Sequence, residues 1–82
     1  MRCVFSKGKQ KELLIFAKTL LELSWREFAN KLGIGYTTLR DWRNEKWSMQ
    51  RSVFIRIVEI CPECGPFENF IVEMKEDNWG RK

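Results

Sequence analysis

Between Ser24 and Asn44 the chain reads Ser-Trp-Arg-Glu-Phe-Ala-Asn-Lys-Leu-Gly-Ile-Gly-Tyr-Thr-Thr-Leu-Arg-Asp-Trp-Arg-Asn, and this stretch constrains the fold more than any other. Ser24 and Glu27 have the S-x-x-E spacing of a capping box, in which each side chain satisfies a free amide of the other residue and so starts a helix. Gly33 stands where that helix must end in a left-handed conformation, which costs glycine nothing. Gly35 is then an N-cap for a second helix running from Tyr36 to about Asn44. Phe28 and Leu32 are four apart and share one helical face, while Leu39 and Trp42 are three apart and share another. Ala29 is the small residue at which the second helix can cross closely, and Ile34 plugs the turn. Two short helices meeting at a tight turn follow from these residues alone.

The flanks supply the rest of a helical domain. From Lys9 to Leu23 the apolar residues Leu13, Phe16, Ala17, Leu20 and Leu21 recur at helical spacing, with Lys11, Glu12, Lys18 and Glu22 on the other side. Lys46-Trp47-Ser48 reads as a linker with Ser48 as N-cap. A further helix over 49–61 then buries Val53, Phe54, Ile57, Ile60 and Cys61 and stops at Pro62. Residues 66–71 fit a short fifth helix, with Phe67, Phe70, Ile71 and Met74 as its buried stripe. Ile71 to Met74 also alternates as a strand, which can pair with Arg2 to Phe5 near the start. The expected fold is therefore all-α: a compact bundle of four to five helices over 9–23, 24–32, 36–44, 49–61 and 66–71. A short two-stranded pairing of the chain ends is an optional addition. At 82 residues this is one domain, here 1–74, followed by a polar tail over 75–82.

Composition removes many function classes. With no histidine in the sequence, Ser-His-Asp and Cys-His catalysis and imidazole-bound zinc are excluded, and no convincing carboxylate pair replaces them. An enzyme is not expected, nor a cofactor. No apolar run approaches the ~20 residues needed to cross a bilayer. The N-terminus lacks a long apolar core followed by a small-residue cleavage site, so a cytoplasmic protein is expected. The net charge of +4 is unevenly spread: residues 1–56 carry 12 of the 15 basic and 5 of the 11 acidic residues, whereas 57–82 carry 3 and 6. A basic front and an acidic back suit a protein that turns one face to a polyanion.

Taken together, residues 24–44 have the pattern of a helix-turn-helix, whose second helix enters the DNA major groove. Phe28, Ala29, Leu32, Gly33, Ile34, Leu39 and Trp42 resemble the helix-turn-helix of the phage repressor and Cro type, the Xre-like family, and with the flanking helices the likeness covers about residues 9–60. One departure is Trp42, where that family usually has a smaller aliphatic residue. The resemblance implies a bundle of four or five helices, a sequence-specific double-stranded DNA-binding module and a transcriptional regulator. By position it implies that Tyr36, Thr37, Thr38, Arg40 and Asp41, with Arg43 and Asn44 following, face the bases. Their chemistry fits that role independently. Arg40 or Arg43 can make two hydrogen bonds to guanine and Asn44 two to adenine, while Thr37 and Thr38 can meet a thymine methyl or a phosphate. Arg26 and Lys31 on the preceding helix are phosphate candidates, as are Lys46 and Arg51, with Trp47 and Ser48 between them. Each of these polar residues also has a plainer reading as solvated helix surface. A helical bundle that binds proteins is the rival, disfavoured because the outer side of helix 36–44 carries Arg, Asn and Thr instead of an apolar patch.

Some residues stand outside this scheme. Trp42 is expected in the core and Trp25 as a staple onto a neighbouring helix; Trp47 fits packing and backbone contact equally well. Cys61-Pro-Glu-Cys64-Gly65 is half of many zinc-ribbon sites, but a closed site needs four ligands. Cys3 with Glu63 or Glu68 can complete the set if the chain ends meet, and a homodimer sharing two such knuckles is another route. A C-x-x-C redox pair normally sits at a helix start, not after a helix end. The favoured expectation is no metal, with Cys61 buried and Cys64 incidental. The end Lys-Glu-Asp-Asn-Trp-Gly-Arg-Lys, with its lone Trp79, is similar to a segment that joins an N-terminal helix-turn-helix to downstream regions in archaeal proteins, some homing-endonuclease-like. That likeness implies the DNA-binding module of a longer protein and carries over no activity.

Overall fold

The structure, a computed structural model, describes residues 1–76, so Trp79 lies outside the described residues. Strand β1 (Arg2–Phe5) leads into helices α1 (Lys9–Leu20), α2 (Trp25–Leu32) and α3 (Tyr36–Arg43). A two-residue strand, β2 (Met49–Gln50), precedes α4 (Arg51–Ile60); a 3-10 helix (Pro62–Phe70) and strand β3 (Ile71–Lys75) follow. The fold is mostly helical, with a small antiparallel sheet in the order β2-β1-β3.

The central strand alternates as a one-sided strand should: Cys3 and Phe5 are buried, Arg2 and Val4 half-buried. The pairing of chain ends expected from the sequence is present, Arg2 opposite Lys75 and Cys3 opposite Met74. A bulge between Val4 and Phe5 places Phe5 opposite Ile71 and leaves Val72 outside the register. Met49 and Gln50 pair with Cys3 and Arg2 on the other side. That pairing corrects the expected helix start. Ser48 is not the N-cap of α4; Gln50 is, because the chain is held extended through Met49–Gln50 and the Arg51 amide donates to the Met1 carbonyl at 2.7 Å.

The core joins both layers: Cys3 and Phe5, Leu13, Leu14 and Ala17 of α1, Phe28, Ala29 and Leu32 of α2, Leu39 and Trp42 of α3, Met49, and Val53, Phe54 and Ile57 of α4. Phe5 meets Phe54 edge-on, ring centroids 5.6 Å apart. The expected face of α1 is partly borne out, with Leu13 and Ala17 buried and Leu21 packed against the core. Leu14 is fully buried, whereas Phe16 and Leu20 are exposed and Leu21 lies beyond the helix end. Residues 62–70 form a 3-10 helix that begins at Pro62, four residues before the α-helix expected over 66–71. Its intended stripe is only partly covered, with Phe70 and Met74 exposed. Cys64 is part of the core, not an incidental residue. Among the described residues, no helix is long and apolar enough to cross a membrane.

Candidate nucleic-acid interface

The α2–α3 unit is built by local chemistry. The Glu27 amide donates to the Ser24 hydroxyl at 3.1 Å and the Ser24 amide to the Glu27 carboxylate at 2.8 Å, which completes the capping box. Gly33 ends α2 at φ 72°, and the Ile34 amide reaches back to the Ala29 carbonyl. Arg56 of α4 closes the same end by donating to the Leu32 carbonyl at 2.8 Å. A Cβ on Gly33 would lie 3.2 Å from that guanidinium, so a side chain there is strained by the backbone conformation and must also push the end of Arg56 aside.

Leu39 and Trp42 are the buried residues of α3. At about 100° per residue, Thr37, Arg40 and Asn44 stand on the opposite side, and all three are exposed. Arg40 lies 3.6 Å from the Asp41 carboxylate, which is itself largely covered. Thr38 falls on one flank. Tyr36 and Arg43 fall on the other, leaning on α2. The Arg26 guanidinium sits 4.7 Å from the centre of the Tyr36 ring, and Arg43 sits 4.7 Å from that of Trp25. Lys18 of α1 lies over the same Trp25 ring at 5.3 Å. Trp25, expected as a staple, thus packs on Phe28 and carries two cations.

The expected residues are therefore not equivalent. Tyr36, Thr37, Thr38, Arg40, Asp41, Arg43, Asn44 and Arg26 gather on and beside α3. Arg43 is half-buried on Trp25, so it stands on the seam between α2 and α3 and not on the outer face with Arg40. Lys31 is exposed but lies about 140° around α2 from Arg26. Lys46 lies 6.0 Å from the Trp47 ring centre in the segment after α3. Arg51 joins neither group; it lines a groove of about 410 Å³ between α4 and β3, with Glu59 and Glu68.

Two residues that organise this face carry no sequence signal. Gln10 is 4% exposed, and its amide nitrogen donates to the Trp42 and Trp47 carbonyls, both at 2.8 Å. Its amide oxygen accepts from the Met49 amide at 3.1 Å. Glu45, in the left-handed region at φ 59°, accepts from the Gly8 and Lys11 amides and so caps α1 from 34 to 37 residues away. Side-chain pairing across such sequence distance leaves no local pattern.

The cysteines form a separate feature. Cys3, Cys61 and Cys64 are all buried thiols. The Cys61 thiol donates to the Glu63 carboxylate at 3.6 Å. Burial pushes the Cys64 thiol up to about 12, helped by its hydrogen bond with Cys61 and by the Glu63 charge. Burial raises Cys3 as well, against the opposing charge of Arg51. Among the described residues, no three Cys, Asp or Glu side chains are grouped to hold a metal ion.

No protein-family model, curated protein or solved structure matches this chain.

Proposed function

We propose that this chain is a sequence-specific double-stranded DNA-binding module, in which α2 and α3 act as a helix-turn-helix and α3 enters the major groove. The observation that carries the reading is the division of α3: Leu39 and Trp42 inside, Thr37, Arg40 and Asn44 outside. Those three side chains offer a guanine-reading guanidinium, an adenine-reading amide and a methyl-bearing hydroxyl. The first turn of α3 begins at Gly35, which offers no capping side chain, so its leading amides point toward a phosphate oxygen. Arg26 on Tyr36 and Arg43 on Trp25 set two guanidinium groups along the α2–α3 seam, where a DNA backbone would run beside the helix. Arg40 is the base reader of this scheme, and Arg43 and Arg26 are phosphate ligands. Transcriptional regulation is the role that such a module serves, alone or as part of a longer protein.

The protein-binding alternative has one specific support, the groove between α4 and β3 with Ile55, Met74 and Phe54 among its lining residues. It involves no residue of α3. Titration of a preferred and a random duplex at several salt concentrations tests the proposal. Arg40→Ala is expected to cost roughly 1–3 kcal/mol on the preferred duplex and little on the random one. Arg26→Ala is expected to weaken both alike and to flatten the salt dependence by about one unit. If both variants bind both duplexes as the parent does, α3 is not a DNA reader.

A further inference from the structure

Beside α3, on the flank opposite Trp25, lies a groove of about 430 Å³ lined by Arg2, Thr38, Trp42, Trp47 and Gln50. Three elements meet here: α3 gives Thr38 and Trp42, the sheet gives Arg2 and Gln50, and the connecting segment gives Trp47. We infer that this groove is a second DNA-contact site, which takes the sugar–phosphate of a strand flanking the groove occupied by α3. The deoxyribose lies against the Trp47 ring, and the phosphate lies toward Thr38, Gln50 and the cationic rim. This inference rests on the DNA-binding reading of α3.

Trp47 is held in its exposed position by the fold. It is 55% exposed, yet the segment bearing it is held from two sides. Gln10 grips the Trp42 and Trp47 carbonyls and the Met49 amide from within the core. Glu45 is held in a left-handed conformation while its carboxylate caps α1. An indole on a segment tied in this way is preorganised for a partner, with little left to order on binding.

Charge also favours a phosphate here. Among the described residues, no carboxylate lines the groove. The carboxylates nearest in sequence are engaged elsewhere: Asp41 lies 3.6 Å from the Arg40 guanidinium, and Glu45 is turned to the amides of Gly8 and Lys11. Arg2, whose guanidinium holds the Ser48 carbonyl at 3.1 Å, places positive charge in the wall, and Lys46 stands over the Trp47 ring. A positive rim, a hydroxyl, a primary amide and one flat apolar ring match the phosphate oxygens and apolar face of a nucleotide backbone. Thr38 belongs to both α3 and this groove, so a strand reaching α3 passes it without a break.

Trp47→Ala, Lys46→Ala and Gln50→Ala alter exposed side chains and are expected to leave the melting curve near that of the parent. Trp47→Ala is expected to weaken the preferred and random duplexes by the same factor, about tenfold, leaving their ratio unchanged. Lys46→Ala is expected to lower the salt slope by about one unit. With Gln10→Met, the effect of Trp47→Ala should shrink, because the segment is no longer held in place. If Arg40→Ala loses preference while the groove variants bind both duplexes as the parent does, the groove inference is overturned and the α3 reading stands. A Trp47 effect confined to duplexes containing an unpaired base would also overturn it, since the occupant would then be a base. If the parent binds no duplex at all, the α3 reading falls first and the groove inference with it.

Discussion

Gln10→Leu isolates one buried side chain that ties three parts of the chain together. In the folded protein Gln10 makes three hydrogen bonds, to the Trp42 and Trp47 carbonyls and from the Met49 amide. Leucine makes none of them. The Trp42 carbonyl keeps a partner, since the Glu45 amide also donates to it at 3.0 Å. The Trp47 carbonyl and the Met49 amide lose the bonds that Gln10 supplied, and Met49 is fully buried. A buried unsatisfied backbone group costs about 1–3 kcal/mol, so the buried Met49 amide and the part-buried Trp47 carbonyl together lose at most roughly 2–6 kcal/mol. Burying leucine's apolar surface offsets about 1 kcal/mol of that sum. The expected net loss is roughly 1–5 kcal/mol, which in a domain of this size lowers the melting temperature by about 4–8 °C for each kcal/mol. Urea unfolding followed by far-UV circular dichroism gives the stability difference, and hydrogen exchange gives the protection of the Met49 amide. A loss below about 0.5 kcal/mol with unchanged Met49 protection would refute the claim that Gln10 holds this segment.

Trp42→Ala removes a side chain only 5% exposed and is expected to cost roughly 3–5 kcal/mol, abolishing binding with the fold; a near-parental melting curve would place Trp42 outside the core. Cys64 keeps its proton up to about 12 when folded and loses it near the ordinary 9.0 when unfolded. Its contribution is therefore complete below about pH 9 and declines from there toward 12; the pH dependence of the parent minus that of Cys64→Ala is the measurement. Trp25→Leu removes the ring beneath Lys18 and Arg43. It is expected to weaken preferred and random duplexes alike, and a loss confined to the preferred duplex would make Arg43 a base reader.

What the sequence discloses follows from how far apart the interacting residues are. The ends of α2 are legible because Ser24, Glu27 and Gly33 act on their own neighbours. The faces of α2 and α3 follow from spacing for the same reason, and Leu39 and Trp42 are buried as expected. Strand β2 is not legible, because Met49–Gln50 is extended only through its pairing with Arg2 and Cys3 some 47 residues away. The face of α1 is legible only in part: Leu13 and Ala17 are buried as their spacing predicts, but the helix packs against both α3 and the 3-10 helix, which turns Leu14 inward and Phe16 toward Phe67 at 5.7 Å. In the candidate interface, residue types pointed to α3, while the roles within it depend on packing. Arg40 and Arg43 look alike in sequence, and only the Trp25 ring separates a seam residue from an outward one. Gln10 and Glu45 act across the fold and had no pattern to betray them.

In the proposed function α3 reads base edges in the major groove. Selection of binding sites from random duplex DNA, followed by methylation interference at guanine N7, tests it most directly, because that atom faces the major groove and is a partner of an arginine such as Arg40. The expected result is one enriched sequence containing a guanine whose N7 methylation abolishes binding by the parent, and no such enrichment with Arg40→Ala. Recovery of the random pool unchanged, or of a site insensitive to every N7 methyl group, would contradict it.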